Sequence, residues 1–245
     1  MTDPLVVSRI VKTFGGVVAL NGVSLSVESG QLVGLIGPNG SGKTTLLNVV
    51  SGFYTPDSGT IRYQGRAIAR HEPAEIARSG IARSFQVTKT FRRLTVLENL
   101  LVPGLLGWSV TSRTATERAL RILADLKLDG LAHQRASHLS GGQAKLLEFG
   151  RLMMLEPTLV LLDEPFAGVH PELKGFMHGR IRAWNGRHVT IVLVSHDMGS
   201  IFGLCRRVVA LHNGTLIADG EPERVRRDPR VLESYLGEHQ FHAGR

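Results

Sequence analysis

The sequence predicts an α/β domain built around a parallel sheet. Apolar runs near residues 159–162, 190–194 and 207–211 are rich in Val, Leu and Ile on both faces, which is typical of parallel strands covered by helices on each side. Segments with helical spacing separate these runs. A fourth apolar stretch, "QLVGLIG", leads through a glycine-rich turn into the helical pattern of "TTLLNVVSG". Strands that alternate with helices in this way form an α/β core.

The N-terminal part differs from this core. Residues 5–27 alternate between apolar and polar, with turns at Gly15–Gly16 and Asn21–Gly22, which predicts strands around turns. "GTIRYQG" predicts another strand with a turn, and "IARSFQ" a short one. Between them, Pro73 suits the first position of a short helix that stops at Gly80.

Helical spacing dominates the middle of the chain. Apolar residues at 119, 120, 122, 123 and 126 fall on one face of a predicted helix. We expect one domain over 1–245, in which 1–96 and 150–220 form the core. Within it, 97–149 form an inserted helical lobe, and the charged stretch 221–245 forms a C-terminal helix.

The composition of the chain excludes some classes of function but does not identify one. The chain has 245 residues and a net charge of +8, which leaves nucleic acid, an anionic membrane surface and nucleotide phosphates open as partners. Its single cysteine, Cys205, excludes an intramolecular disulfide and a cysteine-based zinc site. The ten histidines lack metal-ligand spacing, and no apolar run approaches the ~18 residues of a membrane span.

The stretch "GPNGSGKTT", from Gly37 to Thr45, lies at the strand-to-helix turn and matches the phosphate-loop pattern. Its glycines let backbone N–H groups turn towards an anion, and the positive end of the following helix points at the same place. We expect Lys43 to reach the β- and γ-phosphates and the Thr44 hydroxyl to bind Mg²⁺.

Two carboxylates follow a buried strand in "TLVLLDEP". Because ligands bind at the carboxyl ends of parallel strands, Asp163 and Glu164 are expected beside the phosphate loop. Asp163 is predicted to hold Mg²⁺, and Glu164 to act as the general base for an attacking water. Taken alone, the pattern is equally compatible with a strand that ends in ordinary surface acids.

"LSGGQ", from Leu139 to Gln143, is a second glycine turn that opens a second helix. The Ser140 hydroxyl, the N–H groups of Gly141 and Gly142 and the helix N-terminus could bind another anion. An ordinary serine N-cap explains the same residues, and the sequence of this segment alone favours that simpler interpretation.

"GPNGSGKTT", "LSGGQ" and "LVLLDEP", in this order and spacing, resemble the ATP-binding subunit of ABC transporters. The resemblance covers nearly the whole chain. It implies a P-loop NTPase (RecA-like) core with an N-terminal antiparallel β subdomain and an inserted α-helical lobe. It also implies that the chain binds ATP and Mg²⁺.

The resemblance further assigns roles to single residues. Gln86, in "RSFQ", would touch Mg²⁺ and the attacking water, and His196, in "LVSHD", would bind the γ-phosphate. Phe14, in "KTFGG", would stack on adenine, although a packed core aromatic is the alternative. Glu164, His196 and Gln86 form the catalytic set, and Thr44, Gln86 and Asp163 the metal set. The implied ATP-binding set is Phe14, Gly37, Pro38, Asn39, Gly40, Ser41, Gly42, Lys43, Thr44, Thr45, Ser140, Gly141, Gly142 and Gln143.

Members of this family work as head-to-tail pairs, with ATP and Mg²⁺ between the phosphate loop of one subunit and the "LSGGQ" of the other. The resemblance therefore implies a second ATP-binding subunit, identical or paralogous, together with membrane permease subunits and, indirectly, a solute-binding protein. It places the chain peripherally on the cytoplasmic face of the inner (plasma) membrane. A groove around residues 86–95 and the start of the helical lobe is expected to receive the permease; without the family context, a solvated loop with two buried anchors explains this stretch equally well.

The stretches "FGGVVAL", "SGFYTPDSGTI", "ARSGIARSFQ", "FRRLTVLENL" and "DPRVLESYLGE" resemble the ATPases of branched-chain amino acid importers, whose relatives carry other amino acids, amides or urea. "DEPFAGV" and "YLGE" also resemble the ATPase of lipopolysaccharide export. A soluble ABC-type ATPase acting on DNA or ribosomes usually carries a coiled-coil insertion or two fused cassettes, and the sequence shows neither, so no nucleic-acid partner is expected.

Three positions bear on whether and how such a subunit would work. A regulator that never hydrolyses ATP is disfavoured by the intact Glu164. His170 stands where the family commonly has Asp or Asn, which puts the usual contact between subunits there in doubt. Ala144 follows "LSGGQ" where a polar or basic residue is usual, and its expected effect is small.

Overall fold

The computed structural model describes residues 4–85, 90–105 and 112–242. The strands, in chain order, are β1 (Leu5–Phe14), β2 (Val17–Val27), β3 (Leu32–Ile36), β4 (Ser58–Tyr63), β5 (Arg66–Ala67), β6 (Ile81–Arg83), β7 (Leu159–Asp163), β8 (Thr190–Val194), β9 (Arg207–His212) and β10 (Thr215–Gly220). The helices are α1 (Lys43–Val50), α2 (Pro73–Arg78), α3 (Val96–Leu105), α4 (Ser112–Asp125), α5 (Gly141–Met154), α6 (Pro171–Asn185), α7 (Met198–Leu204), α8 (Pro222–Arg226) and α9 (Pro229–His242).

The N-terminal sheet is antiparallel, as the resemblance implies. Its strand order is β2-β1-β4-β5. Leu5 pairs with Val27 on one side and with Tyr63 on the other, and all three side chains are buried. This sheet therefore presents one apolar face to the rest of the protein.

The second sheet is the core of the molecule, with the strand order β10-β9-β3-β8-β7-β6. All neighbouring pairs are parallel except β9 and β10, which form an antiparallel hairpin. β10 is a strand that the sequence pattern did not indicate. Its side chains are mostly half-buried, so it lacks the continuous apolar run of the central strands.

Both faces of the parallel sheet are buried, which explains the unbroken apolar runs. Along β7, Leu159 and Leu161 pack on the side of the N-terminal sheet and α1. Val160 and Leu162 pack on the opposite side, with the helical segment and α6. Alternate side chains of one strand thus enter two separate cores, as the period of a strand requires.

The helical segment between β6 and β7 is formed mainly by α3, α4 and α5. On α4, Ala119, Ile122 and Leu123 are buried, as is Leu126 directly after the helix, whereas Leu120 is 43% exposed. The predicted apolar face was therefore too wide by one residue. Leu120 lies about 100° around the helix from Ala119, which places it at the edge of the stripe.

Two predicted boundaries differ from the structure. Helix α5 runs through to Met154, past the predicted end of the lobe at 149. The C-terminal stretch contains two helices rather than one. Arg227 and Asp228 separate them, because a residue that precedes proline is disfavoured in helical conformation and Pro229 starts α9. Over the described residues, no helix is long and apolar enough to cross a membrane.

Candidate functional site

The glycine-rich turn connects β3 to α1 at the carboxyl edge of the parallel sheet. Gly42 shows why glycine is needed at the end of this turn. It has φ 105°, and a Cβ atom there would lie 2.6 Å from the Ala19 carbonyl oxygen on β2. An alanine would therefore be strained in its backbone and would overlap a neighbouring strand.

Lys43 is the first residue of α1 and is buried. Its Nζ donates hydrogen bonds to the Gly37 carbonyl (2.7 Å) and the Pro38 carbonyl (2.8 Å), and lies 3.3 Å from Ser41 Oγ. The loop thus wraps around the ammonium group. This holds a positive charge at the N-terminus of α1, where the helix dipole already favours an anion.

A cavity of about 240 Å³ opens beside the loop. It is lined by the loop itself, by the ends of β7 and β8, and by part of β2. Ten of the residues predicted from the sequence line it together. These are Asn39, Gly40, Ser41, Gly42, Lys43, Thr44, Thr45, Asp163, Glu164 and His196. Gly37 and Pro38 contribute through the carbonyl groups that bind Lys43.

Glu164 follows β7 directly and has φ 49°. Its backbone N–H donates to the Val194 carbonyl (2.9 Å), and its Oε2 accepts from the backbone N–H of His196 (3.2 Å). His196 Nε2 lies 3.5 Å from Glu164 Oε1. Oε1 is buried and has no hydrogen-bond partner among the described residues. The carboxylate is therefore anchored through one oxygen and keeps an acceptor for a further donor.

Asp163 is buried, and its carboxylate meets a guanidinium that sequence analysis missed. Arg83 Nη2 donates to Asp163 Oδ2 at 3.2 Å. The Asp163 N–H donates to Ser84 Oγ (2.9 Å). Burial lowers the pKa of Arg83, and the charge of Asp163 acts in the opposite direction. The sequence does contain a signal for this residue: an arginine within the short apolar strand "IARS" is expected to be buried and therefore to need an acidic partner.

The "LSGGQ" segment begins α5, where Ser140 is the N-cap. Ser140 Oγ accepts from the Gln143 N–H (3.3 Å), and Gln143 Oε1 accepts from the Ser140 N–H (2.9 Å). This is a capping box, so the N-cap expected from the residues alone is present. Gly141 and Gly142 are the first helical residues. In the part of the chain that the structure describes, the cavity beside the phosphate loop is not lined by this segment.

Three further residues that the sequence singled out are Phe14, His170 and Gln86. Phe14 ends β1, is 42% exposed and packs edge-on against Tyr54, with ring centroids 5.0 Å apart. Phe14 is therefore not a core aromatic. His170 is the exposed N-cap position of α6. Gln86 falls outside the described residues.

An apolar groove of about 550 Å³ lies between α2, α3 and α5. Phe85, Phe91 and Pro103 line it together with several cationic side chains. Among these, the Arg151 guanidinium stacks over the Phe91 ring at 4.8 Å. An apolar surface edged by cations is typical of a site for a partner helix rather than for a small polar ligand.

Comparison with known proteins decides the family. A family model described as ABC transporter matches residues 20–167. The chain belongs to the ABC transporter family. A second model, described as branched-chain amino acid ATP-binding cassette transporter, matches residues 215–240, which span β10 and most of the C-terminal helices.

Curated relatives agree over nearly the full length. The probable branched-chain amino acid transport ATP-binding protein LivG of Archaeoglobus fulgidus is 41% identical, with 92% of each chain covered. The high-affinity branched-chain amino acid transport ATP-binding protein BraF of Pseudomonas aeruginosa is 38% identical over 97% of this chain and 100% of its own. The ADP conformation of MJ1267, an ATP-binding cassette of an ABC transporter, superimposes with a TM-score of 0.89 at 36% identity, covering 97% of this chain and 100% of that one.

These matches confirm the resemblance and the α/β fold predicted from the sequence. ATP-binding subunits of ABC transporters hydrolyse ATP to drive transport, and this chain is such a subunit. The lining of the cavity is chemically suited to that activity, because a lysine, two threonines, two carboxylates and a histidine meet beside one phosphate loop.

Proposed function

We propose that this chain is the ATP-hydrolysing subunit of an importer for branched-chain or related amino acids. In this proposal, two ATP-binding subunits close head to tail around two ATP molecules with Mg²⁺. The observation that carries the hydrolytic part is Glu164 Oε1 beside Lys43 and Asp163: it is buried and accepts no hydrogen bond from the described residues, and His196 Nε2 lies 3.5 Å from it. The substrate class rests on the relatives, which are named for branched-chain amino acid transport.

The phosphate loop would bind the triphosphate. Its backbone N–H groups and the N-terminus of α1 favour an anion, and Lys43 can exchange its loop carbonyls for phosphate oxygens. The Phe14 ring is 42% exposed at the end of β1, and adenine would stack on its exposed part. Pro38, Asn39 and the glycines would shape the phosphate loop between β3 and α1.

The residues present fit Mg²⁺. The hydroxyl of Thr44 and the carboxylate of Asp163 line one cavity, and oxygen donors of this kind are what Mg²⁺ prefers. Thr44, Asp163 and Gln86 are the residues that would hold it. When bound, the ion would neutralise charge on the β- and γ-phosphates.

Hydrolysis would use the carboxylate of Glu164 as the general base. Its Oε1 can accept a proton from water as the water oxygen forms a bond to the γ-phosphorus and the bond to the β-phosphate oxygen breaks. The N–H of His196 fixes the other carboxylate oxygen at 3.2 Å. The His196 ring is half-exposed and lines the cavity, and it would donate to the γ-phosphate. Gln86 would help to orient the attacking water.

The second subunit would complete each site. Ser140, Gly141, Gly142 and Gln143 form the N-terminus of α5, a helix of 14 residues, whose positive end can bind a γ-phosphate. We infer that they face the nucleotide of the partner, since the described residues place them outside their own cavity. His170 lies exposed at the N-terminus of α6, where it could face the same partner.

The apolar groove would bind a helix of the membrane permease. Its rings and aliphatic side chains suit the apolar face of an amphipathic helix, and Arg78 and Arg151 suit acidic residues or helix C-terminal carbonyls on the partner. This contact would hold the subunit at the cytoplasmic face of the membrane. The solute-binding protein would act only through the permease.

The test is Glu164→Gln, assayed with the permease partners in vesicles. ATP hydrolysis is expected to fall by about 10² to 10⁴-fold, the range of a lost general base. The isolated variant subunit should still bind ATP. It should accumulate as an ATP-bound dimer, which light scattering would detect. Native turnover in this variant would refute the base assignment. The substrate class is tested by the uptake of labelled leucine into vesicles that carry the wild-type transporter. If leucine is not taken up and other amino acids are, the proposed substrate class is wrong.

A further inference from the structure

Arg83 is a buried guanidinium at the end of β6 with a role that the proposed mechanism leaves open. Its side chain is 6% exposed, and that of its partner Asp163 is 2% exposed. Besides the bond to Asp163 Oδ2, its Nη1 donates to Asn48 Oδ1 (2.6 Å) and to Ser51 Oγ (2.9 Å). Both acceptors belong to α1 or its C-cap, so Arg83 joins the helix of the phosphate loop to the acidic end of β7.

The orientation of the guanidinium is fixed by aromatic rings. Its Cζ lies 5.5 Å from the centroid of Phe85 and 5.8 Å from that of Phe53. These rings pack edge-on against each other with centroids 5.5 Å apart. Stacking of this kind restricts rotation of the planar group. The fork of N–H donors therefore meets three acceptors in one arrangement, which a lysine ammonium could not reproduce.

We propose that Arg83 is a positioning residue for Mg²⁺ binding. It holds Asp163 Oδ2, and through Asn48 and Ser51 it fixes that carboxylate relative to α1, the helix that carries Thr44. Asp163 and Thr44 line the same cavity. Residues that orient a metal ligand typically change metal affinity by about 10- to 100-fold when lost. The inference rests on the proposed function, because it requires Mg²⁺ at Asp163.

The experiment compares binding of a non-hydrolysable ATP analogue by calorimetry with and without Mg²⁺. The quantity compared between variants is the affinity for the analogue with Mg²⁺ divided by the affinity without Mg²⁺. Arg83→Met is expected to lower this ratio by about 10-fold or more, with metal-free affinity unchanged within about 2-fold. Arg83→Lys should fall between Met and wild type. Equal losses with and without Mg²⁺, or a ratio equal to the wild type, would overturn the inference.

Two control variants distinguish a failure of the positioning role from a failure of the proposed Mg²⁺ site and from a general effect of removing an arginine–aspartate pair. Arg207→Met removes another arginine that is paired with an aspartate, Asp219, at the opposite edge of the same sheet, and should leave the ratio unchanged. Asp163→Asn should abolish the Mg²⁺ enhancement. If Asp163→Asn retains it, the metal assignment of the proposed function fails; if only Arg83→Met retains it, the positioning role fails alone.

A milder variant keeps the test informative if Arg83→Met does not fold, as judged by urea unfolding. Asn48→Ala removes one anchor of Arg83 and leaves the ion pair with Asp163 in place. The ratio should then fall by between about 2-fold and 10-fold, the effect of one hydrogen bond. An unchanged ratio in this folded variant would overturn the positioning role.

Discussion

Gly42→Ala gives a sharp test of how the phosphate loop is built. At φ 105° an L-residue is strained, and the added Cβ would lie 2.6 Å from the Ala19 carbonyl oxygen and 3.0 Å from Leu20 Cδ2. The backbone strain alone costs about 1–2 kcal/mol. The contact with a carbonyl oxygen adds to this, because a backbone atom of β2 cannot move away as a side chain can. We expect α1 or β2 to shift, and Lys43 with it.

Gly65→Ala is the matched control. Gly65 has φ 79° in the turn between β4 and β5, and a Cβ there would meet nothing within 4 Å. It therefore carries the backbone strain without the contact. Urea unfolding should show a loss of about 1–2 kcal/mol for Gly65→Ala and a larger loss for Gly42→Ala. ATP binding by calorimetry should weaken by at least about 10-fold only in Gly42→Ala, roughly 1.4 kcal/mol. Equal stability and equal ATP affinity in the two variants would refute the reasoning.

Two further outcomes follow from the site and its surroundings. In mixed dimers, Lys43→Ala on one subunit and Ser140→Ala on the other should leave one composite site intact, measurable as residual ATPase activity, whereas both changes on one subunit should impair both sites; loss in every arrangement would contradict the head-to-tail geometry. Lys174 Nζ donates to Asp197 Oδ2 at 2.5 Å, and this hydrogen bond is the largest cause that lowers the pKa of Asp197 to about 2. Because the folded pKa is depressed, the stabilisation is present above about pH 4 and is lost as pH falls towards 2. Lys174→Met should therefore reduce the free energy of unfolding at pH 7 by about 1 kcal/mol, after allowance for solvent exposure, and should flatten its decline below pH 4; an acid-unfolding curve parallel to that of the wild type would count against this.

The sequence predicted those parts of the site that are local in the chain. The turn from β3 to α1 carries its own signal, because glycines at special backbone angles and the lysine lie within seven residues. The two carboxylates at the end of β7, Asp163 within the strand and Glu164 directly after it, were equally easy to predict, since a buried strand that ends in acids is a short pattern. Alternation over residues 5–27 predicted the strands of the N-terminal sheet, and the family resemblance implied their antiparallel arrangement.

The parts that the sequence did not predict depend on contacts between distant segments. Arg83 and Asp163 are 80 residues apart, and no local pattern pairs them. Leu120 has the spacing of a core residue, but only packing against neighbouring helices determines where the buried stripe on α4 ends. β10 is specified by pairing with β9 rather than by its own hydrophobicity. The edge contact of Tyr54 with Phe14 likewise joins residues that no periodicity relates.

The register of the parallel sheet explains why separate motifs meet at one place. Leu35 on β3 pairs with Val194 on β8, and Val194 pairs with Asp163 on β7, so these three residues lie level across the sheet. The phosphate loop starts two residues after Leu35, and His196 lies two residues after Val194. Parallel strands that are level keep their carboxyl ends at one edge. The meeting of loop, carboxylates and histidine is therefore a consequence of strand pairing, and a shift of β7 by one residue would turn its side chains to the opposite faces and separate Asp163 from the loop.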